Sequence, residues 1–141
     1  MSSEETRYKQ KNILVSLLCI AVVATSWIFN MGWLRFFMTF LLVPFIHAII
    51  FFLTNLFSAD RIQKSKKSKN IYIAFCITYL LFNLLLPDGG DTGEMYVLFG
   101  LVHSDAISYV CGVISAIAIA GHIVCLISQI IKNSKMRKTT K

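Results

Sequence analysis

Charge is missing from most of this 141-residue chain. Four long apolar segments, Ile13–Asn30, Trp33–Phe57, Ile71–Pro87 and Ala106–Ile131, contain no Asp, Glu or Lys, and Arg35 is their one charged residue. Removing them leaves tails, one short turn and two loops, which excludes a soluble domain of useful size. Cysteine is scarce as well: Cys19, Cys76, Cys111 and Cys125 all fall inside these segments and none forms a Cys-x-x-Cys pair. That argues against a disulfide framework and against a thiol oxidoreductase working through loop cysteines. No phosphate-cradling glycine loop, no pair of catalytic carboxylates and no nucleophile–base arrangement occurs. His103, Ser104 and Asp105 are adjacent in sequence, so their side chains cannot converge as a triad. Asp88, Asp91 and Glu94 lack the spacing of an EF-hand calcium loop. The expectation is a protein that is not an enzyme and carries no cofactor.

Each apolar segment is close to the ~20 residues that cross a hydrocarbon core of ~30 Å as helix. All Lys and Arg other than Arg35 lie before the first segment, between the second and third, or after the fourth. The region between the third and fourth holds Asp88, Asp91, Glu94 and Asp105 instead. This is the positive-inside pattern of a four-span membrane protein with both ends in the cytoplasm. The predicted fold class is therefore all-α: an integral membrane four-helix bundle of up-down topology. Its parts are a cytoplasmic tail (1–12) expected to be disordered, spans 13–30, 33–57, 71–87 and 106–131, a basic cytoplasmic loop (58–70), an acidic outer loop (88–105) and a basic tail (132–141). The net charge of +7 is assigned to lipid headgroups, at ~1 kcal/mol per basic residue near the surface, rather than to nucleic acid. The first segment reads as a retained span and not a cleaved signal, because its apolar run continues through Trp27, Ile28 and Phe29 into a turn at Asn30-Met31-Gly32.

Pro44 near the middle of the second span predicts a kink and a freed carbonyl. Met95–Val102 is too short to span and reads as a re-entrant or interfacial helix, or as a plain loop, with Asp91 and Glu94 spaced as a cap. Ser104 and Asp105 are placed to cap the fourth span.

The phase of polar and small residues carries what functional signal there is. Helical spacing aligns Ser108, Cys111, Ser115, Ala118, His122, Cys125 and Gln129 on span 4. Span 1 offers Ser16, Cys19 and Ser26, span 2 His47 and Thr54, and span 3 Tyr72, Cys76, Tyr79 and Asn83. These stripes should face a common axis, with Phe, Ile and Leu facing lipid. Beside the span 4 stripe, Ser108, Gly112, Ala116 and Ala120 form a small-residue edge on which another helix could pack closely.

His47, His122, Cys19 and Cys76 fall at a similar depth, with Cys125 a turn away, so zinc, copper or haem ligation is the chemical alternative to simple packing. Arg35 is expected to snorkel to lipid phosphate; the alternative is a pair with Asp88, Asp91, Glu94 or Asp105 that docks the outer loop.

The favoured function is intramembrane helix–helix association with another membrane protein or with copies of itself, the outer loop (Arg35, Asp88, Asp91, Glu94, Asp105) being the recognition element. A small oligomeric channel or carrier using the inward stripes is the alternative, and a haem- or metal-binding redox subunit the third. In size and span count the chain is similar to the immunity proteins that guard bacterial inner membranes against pore-forming bacteriocins, and to phage-exclusion proteins. That likeness is architectural and no motif carries residues across; it implies a bacterial inner-membrane location.

Overall fold

The computed structural model describes residues 3–89, 93 and 95–139, the side chains of 3–5, 60–61, 63–64 and 135–139 excepted. Most of that chain is helical: α1 (Ser3–Phe29), α2 (Trp33–Phe40), α3 (Val43–Lys64), α4 (Lys66–Leu85) and α5 (Asp105–Thr139). Stretches of α1, α4 and α5 are each long and apolar enough to cross a membrane. α2 and α3 meet that standard only when taken together, and they are bent by 70° where they join.

That join corrects the expected second span. A kink at Pro44 becomes a full stop one turn earlier. Leu41 and Leu42 close α2 with bonds from Leu41 N–H to the Phe37 carbonyl (3.1 Å) and from Leu42 N–H to the Thr39 carbonyl (2.9 Å). Leu42 then takes a left-handed conformation (φ 59°) and serves as the N-cap of α3, at a cost of about 1–2 kcal/mol for a residue with a Cβ. Pro44 falls within the first positions of α3, where a helix loses nothing by its missing N–H.

The expected cytoplasmic loop 58–70 is also corrected. It is helix apart from Ser65, whose extended backbone ends α3 and whose Oγ accepts from the Ser68 N–H at 3.5 Å to begin α4. The expected disordered tail is helix from Ser3, and the basic tail is helix through Thr139. Lys, Arg, Gln and Glu lose little rotamer freedom in a helix, so apolar spans run on into their charged flanks.

Met95–Val102 forms neither a helix nor a plain loop. Three short antiparallel strands, β1 (Asp88–Gly89), β2 (Met95–Val97) and β3 (Val102–His103), pair Asp88 with Tyr96 and Val97 with Val102. Leu98, Phe99 and Gly100 turn the chain at φ 53°, 62° and 71°, and Val97 is fully buried beneath them. Asp91 and Glu94, read as a helix cap and as recognition residues, lie outside the described residues.

α4 packs most extensively on α5, and α1, α3 and α4 pack on one another. Phe51 (α3) and Tyr79 (α4) stack at 3.9 Å between ring centres, and Phe75 (α4) stacks on His122 (α5) at 4.3 Å. Cys19, Val23 and Trp27 of α1 close over this core. Polarity is inverted relative to a soluble protein. Ser16, Ser26, Asn55, Asn83 and Ser115 are buried, while Phe40 is 77% exposed, Ile117 67% and Phe36 57%. So much uncovered apolar surface is what lipid requires.

Close packing at the turn between α1 and α2 gives a direct test. A Cβ on Gly32 would lie 2.5 Å from the Gly89 carbonyl oxygen, whereas one on Gly112 would meet Pro87 Cγ at 3.4 Å. Gly32→Ala should therefore lower stability by roughly 2 kcal/mol. Gly112→Ala should stay within about 1 kcal/mol of the parent. Denaturation midpoints in micelles measure both.

Candidate functional site

The buried polar residues gather in three clusters along the helices. At one end, Asp88 (3% exposed) follows α4 and accepts backbone N–H bonds from Gly32 (3.1 Å), Leu34 (3.0 Å), Arg35 (2.9 Å) and Gly89 (2.9 Å). It thereby caps α2 from a distant part of the chain, a place where a carboxylate also meets the positive end of the helix dipole. The Arg35 side chain turns inward and is fully buried. Its guanidinium donates to the carbonyls of Ser26 (2.9 Å), Asn83 (2.9 Å) and Leu86 (2.8 Å) and lies 5.3 Å from the Trp27 ring centre. Arg35 therefore does not snorkel. Its backbone, rather than its guanidinium, bonds the Asp88 carboxylate. Trp27 Nε1 donates to Asn83 Oδ1 at 3.1 Å, and Asn30 Oδ1 accepts the Gly100 N–H, which fastens the small sheet to the end of α1. Burial raises the Tyr96 phenol above its ordinary value; the Asp88 charge adds to this and the Arg35 charge opposes it.

The middle cluster joins α3, α4 and α5. His47 Nε2 and His122 Nε2 are 3.1 Å apart, and His122 Nδ1 is 3.3 Å from Thr78 Oγ1. Tyr79 and Phe82 flank the His47 ring at 5.0 and 5.3 Å. A cavity of about 400 Å³ adjoins the pair, and a second of about 320 Å³ lies across α3 beside Trp27 and Pro44. Both border the α2–α3 break.

The third cluster lies toward the basic ends. Asn55 Nδ2 donates to Ser16 Oγ at 3.0 Å and approaches Cys76 Sγ at 4.0 Å. Ser58 Oγ bonds the Gln129 side-chain amide at 2.6 Å and accepts from Asn133 Nδ2 at 3.2 Å. Cys19 interacts with Cys76 here.

The structure buries Ser16, Cys19, Ser26, Cys76, Asn83, Cys111, Ser115, His122 and Gln129, and half-buries His47 and Cys125. It does not assemble the candidate metal ligands into one layer: the histidines form one pair, the Cys19–Cys76 contact belongs to another cluster, and no three metal-ligating side chains meet among the described residues. The small-residue edge divides. Ser108 is buried and Gly112 faces Pro87, while Ala116 and Ala120 are exposed. Of the outer-loop candidates, Arg35 and Asp88 are committed inside the fold and Asp105 is exposed.

Asn55, Ser58 and Thr78 join these clusters without having been singled out. His47, Phe51, Asn55, Ser58 and Ile62 share one face of α3, and the break at Leu41–Leu42 separates that phase from the phase of α2.

No protein family, no curated protein and no solved structure matches this chain.

Proposed function

We propose that the protein is a four-span, up-down membrane protein with both termini cytoplasmic. It acts without catalysing a reaction, through helix–helix association with a membrane partner or with a second copy. The clustering of Lys and Arg at one end of the helices supports the orientation. One observation carries the mode of action. The bundle axis is filled by the Phe51–Tyr79 stack and the Phe75–His122 stack, in which Phe51 and Phe75 are fully buried. The uncovered surface is apolar and lateral, and on α5 it includes Ala116 and Ala120 among Val113, Ile117 and Val124. Small residues there let a partner backbone approach closely, where dispersion and weak hydrogen bonds drive association. A role of the immunity, exclusion or accessory-subunit kind fits apolar helices joined by short connections.

The three polar clusters favour a second reading, a small channel or carrier. Flux through proteoliposomes decides between the two. Association predicts silent liposomes and a crosslink from a photoreactive residue at position 120 to a single partner or to a second copy in native membranes. Ion flux lost on His122→Ala would replace it with the channel.

A further inference from the structure

We propose that the cavity beside the His47–His122 pair binds a lipid-soluble hydroquinone, a phenolic ring carrying an apolar tail. The inference rests on the membrane-spanning reading and not on the association reading. The cavity holds about 400 Å³, with Trp27 and Phe82 in its walls, a size that suits a ring and the first carbons of a chain. Ile46, Ile50 and Ile123 also line it and are 54%, 41% and 50% exposed. Its mouth therefore faces lipid, and its ligand must arrive through the membrane.

The hydrogen-bond inventory selects the headgroup. Thr78 Oγ1 lies 2.8 Å from the Ala74 carbonyl oxygen and 3.1 Å from the Phe75 carbonyl oxygen, and its one proton is taken up by this pair of backbone acceptors. The same oxygen can then only accept, so His122 Nδ1 carries a proton and donates to it across 3.3 Å. In neutral His122 this leaves Nε2 bare, and it accepts from His47 Nε2–H at 3.1 Å. The remaining lone pair of neutral His47 is on Nδ1, which has no partner among the described residues. A relay that starts at one threonine hydroxyl therefore makes the polar point of an apolar cavity an acceptor. It calls for a hydroxyl and rejects a carbonyl, because a site built for one hydrogen-bonding group is left unpaired by its analogue. A phenol donates better than an alkyl alcohol, and its flat ring can pack against Trp27 and Phe82 while the aliphatic lining takes the tail.

The test uses the full chain in phospholipid nanodiscs, in a Trp33→Phe background where Trp27 is the lone tryptophan. The probes are a decyl-substituted hydroquinone, kept reduced, its dimethyl ether and its oxidised quinone. The hydroquinone should quench Trp27 saturably and bind about tenfold more tightly than the ether, the effect of one satisfied buried acceptor. His47→Phe should erase that difference. Thr78→Val should free His122 to take the other tautomer, turn His47 Nδ1 into a donor and move the preference toward the quinone. Equal binding of hydroquinone and ether to the parent would mark a groove for any acyl chain and overturn the proposal. So would a preference that survives in folded His47→Phe. Should that variant not fold, an unchanged preference in Thr78→Val overturns it, and a reversed one sustains it. Either failure leaves the crosslink from position 120 unaffected.

Discussion

Asp88→Ala is expected to destabilise the protein by about 3 kcal/mol, because four backbone donors lose their one shared acceptor and leaving such groups unmet costs ~1–3 kcal/mol where they are buried. Gly32 and Arg35 are buried and will feel the full loss; Leu34 is 45% exposed and can turn to water. Asp88→Asn keeps one acceptor oxygen and should fall about midway. Equilibrium unfolding in mixed micelles measures both. A loss confined to less than about 0.5 kcal/mol in Asp88→Ala would show that the turn between α1 and α2 does not depend on this carboxylate.

Arg35→Ala should cost at least as much, on the order of 3–5 kcal/mol, because hydrogen bonds from a charged group contribute ~1.5–3 kcal/mol each and its guanidinium makes three to carbonyls. The carbonyls of Asn83 and Leu86 lose the guanidinium, that of Ser26 keeps only the Asn30 N–H, and Trp27 loses the cation beside its ring. Arg35→Lys should recover little. An ammonium is a point charge on a flexible stem, whereas these carbonyls are met by a planar fork pointing two ways. Both variants should release the segment 88–104 to protease added to the micelle-solubilised protein, and unchanged cleavage would refute the clamp. Asp88 and Arg35 hold the same turn, so the double variant should lose less than the sum of the two single losses.

The spans were legible because hydrophobic length needs no tertiary information. The polar phases on α1, α4 and α5 were legible for a related reason: an unbroken helix keeps its phase from end to end. The α2–α3 segment was not. A single left-handed leucine resets the rotation, and nothing in Leu41-Leu42-Val43 distinguishes it from a plain apolar run. Pro44 signals that something breaks but not where, since proline suits the first turn of a new helix as readily as a kink in an old one. The clamp was half legible. Arg35 and Asp88 stood out as charges near one surface, but a remote carboxylate gathering backbone amides is a long-range event between residues 54 positions apart. The His47–His122 contact joins residues 75 positions apart. Depth along the spans could bring them level, but only packing could bring them together.

The break after Phe40 has a mechanical consequence for the surrounding bilayer. From Val43 to Phe57 the apolar part of α3 is about 22 Å long at 1.5 Å per residue, short of a ~30 Å hydrocarbon layer. α2 is inclined at 70° to it and adds breadth more than height. On that flank acyl chains must shorten or tilt to meet the protein, a mismatch costing fractions of a kcal/mol per ångström. Two molecules that share one thinned patch deform less lipid than two apart, so elasticity of the host membrane would pull them together before any side chain touches.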